Sequence, residues 1–263
     1  MPFEPFDLSG KTALVTGGNS GLGLGFATGV AKAGADVVIW GRRAERNEAA
    51  AEELRTHGVR VLGQAVDVSD EQQVTAALAD ALEEVGKIDC VFANAGMSSR
   101  PPSFHEMSTE TWHELMNTNL HGAFYTLRAT VGHMVERSEA GDPGGSIVVC
   151  GSLLVHSGVP RLQHYGAAKG GLMAVTRSIA VEYGRYGIRA NMIAPGYFES
   201  GLGGRDPDVV ALRETQIRER NPIPRVGTPA DLEGIAVYLM SDASAYHTGD
   251  VIVIDGGKLV SLL

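Results

Sequence analysis

The sequence predicts an α/β fold: a doubly wound, Rossmann-like parallel sheet of about seven strands with helices on both faces. Three observations carry this expectation. Short apolar runs alternate with longer helical patterns along the whole chain. Most of those runs are apolar throughout rather than at every second position, which marks strands covered on both faces. The first run leads directly into a glycine-rich turn that opens a helix. Such β–α alternation implies right-handed crossovers within a parallel sheet.

The expected strands are Thr12–Thr16, Asp36–Trp40, Arg60–Val66, Asp89–Ala93, Ser146–Cys150, Arg189–Ile193 and Val251–Ile254. Between them, helix boundaries are marked by local chemistry. Ser69 followed three positions later by Gln72 reads as a capping box, ahead of an apolar-periodic stretch ending near Gly86. Thr228-Pro229 with Asp231 opens another helix, because proline at the first helical position gives up no needed N–H. Gly34 and Gly58 follow helical runs, where a left-handed cap is expected. Ser98–Ser103 and Ser138–Gly145 are rich in Gly, Pro and Ser and read as surface loops. Residues 201–225 hold a helical centre, Pro207–Arg220, and read either as a mobile flap over a ligand or as an exposed excursion. No Pro/Ser-rich linker divides the chain, so residues 1–263 are expected to form one domain.

Composition excludes several classes of function. The 263 residues are 44% hydrophobic and 20% charged, an ordinary globular balance, and the 34 glycines form no repeat. A formal net charge of −9 argues against a nucleic-acid partner, which needs a basic face. No apolar run approaches the roughly 20 residues that span a bilayer. Met1–Lys11 lacks a basic start followed by an apolar stretch, so a cytoplasmic location is expected. Cys90 and Cys150 sit inside apolar runs and read as buried free thiols, and no cluster with metal-ligand spacing accompanies them.

The glycine turn reads Thr16-Gly17-Gly18-Asn19-Ser20-Gly21-Leu22-Gly23. Glycines between strand and helix let the backbone approach a pyrophosphate, and the helix start offers unpaired N–H groups to the anion. The end of the second strand discriminates between cofactors. A carboxylate there would bind a ribose 2′-hydroxyl, whereas arginine accommodates a 2′-phosphate. Here Trp40-Gly41-Arg42-Arg43 supplies two guanidiniums and no acid, so NADP(H) is favoured, with NAD(H) the alternative.

Tyr165 and Lys169 are four apart at the start of an apolar helix and so share one face. A free phenol has a pKa near 10, and a neighbouring ammonium is expected to lower it into a usable range for acid/base work. Ser152, just past the fifth strand, places a hydroxyl at the sheet edge where doubly wound folds bind ligands.

On these residues the chain resembles the short-chain dehydrogenase/reductase family over nearly its whole length. The turn Thr16–Gly23 is similar to the family's cofactor turn, and Asp67-Val68 stands where members contact adenine. Asn94-Ala95-Gly96 matches the signature that shapes the cofactor pocket. Asn119 matches an asparagine supporting a water-mediated proton relay. Ser152 matches the substrate-binding serine, Tyr165 the acid/base, and Lys169 the residue that tunes the tyrosine and holds the nicotinamide ribose. Pro195-Gly196, with Phe198 and Ser200 beyond, resembles the segment bordering the nicotinamide, and Ser200 stands where many members carry threonine. Two departures stand out. Gly151 replaces a frequent serine, and Ser20 occupies a position where many NADP-dependent members place a basic residue, so the NADP(H) expectation rests mainly on Arg42.

The resemblance implies hydride transfer between a nicotinamide and a carbonyl or secondary alcohol, the substrate being a 3-oxoacyl thioester, a sugar acid or another small ketone. It also implies a homotetramer. The apolar end Leu259–Leu263 could be buried by a neighbour or by its own domain. Met97, Leu153, Leu154 and Tyr197 would form an apolar substrate wall. His156 and His164 bracket that pocket, and Arg161 is one charge too few to name an anionic substrate. A non-catalytic NADP(H)-binding regulator would keep the glycine turn without needing the phenol–ammonium pair. A nucleotide-sugar epimerase would show a Gly-x-x-Gly-x-x-Gly turn and a separate substrate domain.

Overall fold

A computed structural model describes residues 4–199 and 207–261. In chain order the elements are β1 (Thr12–Thr16), α1 (Gly21–Lys32), β2 (Asp36–Gly41), α2 (Ala44–Arg55), β3 (Val61–Ala65), α3 (Glu71–Val85) and β4 (Cys90–Ala93). There follow α4 (Thr109–Met116), α5 (Gly122–Glu139), β5 (Gly145–Cys150), α6 (Gln163–Tyr183) and β6 (Ile188–Pro195). The described chain closes with α7 (Pro207–Arg220), α8 (Glu233–Met240) and β7 (Val251–Ile254). The seven strands form one sheet in the order β3-β2-β1-β4-β5-β6-β7, and every pairing is parallel. Strand order reverses between β1 and β4, the topological switch point where doubly wound sheets open a crevice.

Although the central strands are apolar throughout, their side chains still divide with period two. Ala13 and Val15 of β1, with Val37 and Ile39 of β2, pack under α1, α2 and α8 through Phe26, Val30, Leu54 and Leu239. Leu14, Val38 and Trp40 point to the other face, against Leu78 of α3, Leu127 of α5 and Leu172 of α6. Burial on both sides is the physical reason for the unbroken apolar pattern.

Element boundaries hold within two residues, and where they move the cause is local. The helix start near Ser69 is shifted: Asp70, not Ser69, is the N-cap of α3, accepting from the backbone N–H of Gln72 and Gln73. A carboxylate is the better acceptor at the positive end of a helix, and the Ser69 hydroxyl donates instead to Asp67 Oδ1 at 2.7 Å. The loop expected over Ser138–Gly145 is shorter, because α5 continues through Glu139 and β5 begins at Gly145. The Thr228–Asp231 capping box forms with Pro229 in the first turn, though it opens a short 3₁₀ turn ahead of α8. Gly34 and Gly58 take φ of 97° and 82°, the left-handed caps expected of them. The helix α7 spans Pro207–Arg220 as anticipated, whereas 200–206 lie outside the described residues.

Among the described residues, no helix is long and apolar enough to cross a membrane. No group of three His, Cys, Asp or Glu residues there is placed to hold a metal ion.

Candidate active site

The C-terminal ends of the strands open into a cavity of about 700 Å³, within the range of small-molecule and cofactor sites. Its first end is built at the switch point. The Thr16 hydroxyl accepts from the backbone N–H groups of Asn94 and Ala95, both at 2.9 Å. The Asn94 side chain donates to Thr16 O at 3.0 Å. These bonds clamp the glycine turn after β1 to the segment after β4. Gly17, Asn19, Ser20, Gly21 and Leu22 line the cavity, as do Asn94, Ala95 and Gly96. Gly23 does not. It packs behind the turn, where a Cβ would come within 2.2 Å of Gly17 O, so its role is to permit close approach rather than to touch a ligand.

Ser20 is the N-cap of α1 but makes no side-chain cap bond, which leaves the first-turn N–H groups without a side-chain acceptor. An uncapped helix start facing a cavity is the arrangement that receives a phosphate. Arg42 and Arg43 are exposed on the rim of the same end, and neither forms an ion pair among the described residues. Asp67 and Val68 complete this end.

One contributor here was not anticipated. Asn47 of α2 is 1% exposed and donates to Gly41 O at 2.8 Å and to Gln64 O at 2.7 Å. Its Oδ1 accepts from the Asn19 side chain at 2.6 Å. It thereby ties the glycine turn to the turn that carries Arg42. The signal in the sequence was a polar residue on the helix stripe Asn47, Ala50, Ala51, Leu54, where an apolar one would be expected.

At the centre, Ser152, Tyr165 and Lys169 open onto one cavity. Ser152 follows β5, and its hydroxyl accepts from the Leu154 N–H at 3.3 Å. Tyr165 and Lys169 come from the first turns of α6, with the ammonium 5.7 Å from the phenol ring centroid. Lys169 is 4% exposed and its Nζ donates to Cys150 O at 2.6 Å. The expected lowering of the phenol pKa is not what the chain alone produces. Burial pushes Tyr165 above the usual phenol value, with Ser152 acting the other way, and burial holds Lys169 below the usual ammonium value. Desolvation disfavours both charged forms, and the ammonium is engaged with a main-chain carbonyl.

Asn119 lies in a π-helical turn, Asn117–His121, between α4 and α5. Its side chain is fully buried, donating to Met97 O and accepting from Met97 N, both at 2.8 Å. The amide is thus committed to the loop after β4. Gly151 has a local reason as well: a Cβ there would come within 2.5 Å of Met192 Sδ.

A family model described as Enoyl-(Acyl carrier protein) reductase matches residues 17–258. Gluconate 5-dehydrogenase of Gluconobacter oxydans (strain 621H) is 36% identical over 259 residues, covering 98% of each chain. The chain is a short-chain dehydrogenase/reductase. Solved structures agree with that placement. A short-chain type dehydrogenase/reductase from Mycobacterium marinum superposes with a TM-score of 0.86 at 33% identity, covering 97% of each chain. A gluconate 5-dehydrogenase from Burkholderia cenocepacia J2315, in complex with NADP and tartrate, superposes with a TM-score of 0.90 at 34% identity, covering 98% of each.

In this short-chain dehydrogenase/reductase, Pro195, Gly196 and Phe198 line the cavity beyond the centre, whereas Ser200 falls outside the described residues. Met97, Leu153, Leu154 and Tyr197 form part of the wall, as the resemblance implied. Arg161 does not face a substrate. Its guanidinium donates to Pro101 O at 2.6 Å and Arg100 O at 3.3 Å. His156 is exposed and off the lining, while His164 is fully buried with Nε2 2.9 Å from Ser99 Oγ. Sequence reasoning missed Arg100, Arg220, Asn221 and Lys258, which also line the cavity. They lie on three separate segments, and no local motif marks them.

Proposed function

We propose that this chain is an NADP(H)-dependent oxidoreductase interconverting a carbonyl and a secondary alcohol, with Ser152, Tyr165 and Lys169 as its reactive group. The observation that carries the reading is their shared cavity, which runs from an uncapped helix start and two rim arginines to a serine, a phenol and a buried ammonium. The donor set at the first end suits a pyrophosphate and a 2′-phosphate: backbone N–H groups at the start of α1, then Arg42 and Arg43. NADP in the Burkholderia relative supports the same cofactor. The nicotinamide, when bound, supplies or accepts the hydride and, oxidised, brings a positive ring into the site.

The chain's own residues handle the proton and the oxygen. Tyr165 donates its phenolic proton to the substrate oxygen during reduction and takes it back during oxidation. Ser152 holds that oxygen by a hydrogen bond, which strengthens as negative charge develops on it. Lys169, fixed by Cys150 O, keeps a cation beside the phenol. Asn119 acts by position, because its amide holds the Met97 main chain. A non-catalytic regulator would have no use for this group.

Relatives named for gluconate, and a family model named for an acyl carrier reductase, leave sugar acids and acyl thioesters as substrate classes. Of the expected flap, residues 207–225 would cover that end, since Gln216 and Ile217 of α7 line the cavity. A homo-oligomer would give the exposed Val260 of the apolar C-terminal segment a surface to pack on, which light scattering tests directly. The two buried, unpaired cysteines suit a reducing, cytoplasmic setting. The decisive experiment on the reaction is Tyr165→Phe. Carbonyl reduction should fall by at least ~100-fold, with NADPH affinity held within a factor of a few. Near-normal turnover would remove Tyr165 from the reaction.

A further inference from the structure

Charge around the cavity runs against the sign of the protein. The chain has 31 acidic and 22 basic residues, yet among the described residues its cavity is lined by one carboxylate, Asp67, and six cations. Arg42 and Arg43 belong to the nucleotide end, and Lys169 to the reactive centre. Arg100, Arg220 and Lys258 remain unexplained by a dinucleotide.

Sheet order separates these groups. Arg42 follows β2 and Lys258 follows β7, five strand spacings apart, which is ~24 Å at ~4.8 Å per step. Ser152 follows β5, only two spacings from β7. Lys258 therefore belongs to the substrate side. Arg220 ends α7, whose residues 216, 217 and 220 all line the cavity. Neither Arg220 nor Lys258 forms an ion pair with a described residue. Asn221, next in line, carries a buried side-chain oxygen with no hydrogen-bond donor, and a hydroxyl would complete it.

We propose that Arg220 and Lys258, with Arg100, form a carboxylate subsite, so that the substrate is a polyhydroxylated carboxylic acid rather than an acyl thioester. The proposal rests on the oxidoreductase reading above. Arg220 and Lys258, in no ion pair with a described residue, attract a carboxylate and make charge-assisted bonds to it. The apolar tail of an acyl thioester would have to desolvate them with no return. Hydroxyl partners for a sugar chain are present in Ser98, Ser157 and Asn221.

The test uses the Tyr165→Phe protein saturated with NADP⁺, so that binding is read without turnover. Calorimetry compares five- and six-carbon aldonates with the matching neutral alditols. Aldonates should bind at least ~10-fold tighter than the alditols, and R220Q or K258Q should each remove ~10-fold from aldonate affinity alone. Added salt should weaken aldonate binding and spare the alditols. Equal affinity for both series overturns the subsite, as does aldonate binding indifferent to both substitutions, or tighter binding of a 3-oxoacyl thioester. The two readings fail separately. Neutral ketones turned over without any carboxylate preference sink the subsite alone, whereas aldonates bound but no carbonyl turned over sinks the catalytic reading.

Discussion

Replacing Asn47 tests whether the nucleotide end of the site is held by a buried amide in α2. Asn47→Ala deletes three hydrogen bonds, to Gly41 O, Gln64 O and the Asn19 side chain, at a position 1% exposed. At about 1 kcal/mol net for each bond, the loss is ~3 kcal/mol. The Gly41 carbonyl keeps its bond from Val66 N, which limits the penalty there. In a protein of this size that loss corresponds to a fall in Tm of roughly 6–12 °C. Freed from its anchor, Asn19 should also cost about 1 kcal/mol of cofactor affinity, a factor of ~5. Asn47→Asp is the sharper variant. It keeps the acceptor for Asn19 but turns a carboxylate oxygen toward two carbonyl oxygens, so it should be less stable than the alanine protein. Its folded-state carboxyl pKa should be raised, so stability present below the unfolded value near 4 is lost as pH rises through the folded value. Urea melts across pH, paired with NADPH fluorescence titrations, read all of these quantities. An alanine variant that melts within a degree of wild type, or an aspartate variant gaining stability with pH, would refute the reasoning.

Gly23→Ala should cost ~1–3 kcal/mol and weaken NADPH binding, since its Cβ overlaps Gly17 O; a thermal melt and a titration check it, and unchanged affinity would count against the packing argument. Arg42→Ala should lower NADPH affinity by ~10-fold or more while leaving NADH binding nearly untouched, and equal losses for both would show that Arg42 does not read the 2′-phosphate. His133 accepts from the backbone N–H of Ile88 at 3.2 Å, and burial, helped by Arg137, holds its pKa below the usual imidazole value. The folded state therefore prefers the neutral ring. Its contribution to stability should be present above the unfolded pKa of ~6.5 and be lost as pH falls through the folded value, a slope that His133→Gln should flatten in urea titrations.

The parts of the molecule read well from sequence are those where one residue type answers one local demand. Continuous apolar runs had to be two-face strands, Gly34 and Gly58 had to end helices, and Thr228-Pro229 had to begin a turn of helix. Ser152, Tyr165 and Lys169 were legible by spacing, and the fold brings them to one cavity. What stayed hidden depends on contacts across the sheet. The partner of Lys169 is the carbonyl of Cys150, 19 positions away, and no motif encodes a carbonyl acceptor. The desolvation that raises Tyr165 likewise depends on depth, which a four-residue spacing does not report. Arg100, Arg220 and Lys258 line one cavity because β4, β6 and β7 end on the same side. The shift of the α3 cap from Ser69 to Asp70 has a simpler origin: two good acceptors stood side by side, and the charged one won.

Arg161 grips the loop opposite by its main chain. It holds a φ of 68°, unusual for a residue with a Cβ, and spends its guanidinium on the carbonyl oxygens of positions 100 and 101. Every amino acid offers that oxygen. That anchor to position 100 is therefore independent of which side chain stands there. A fold wired in this way keeps its architecture constant while its tastes drift.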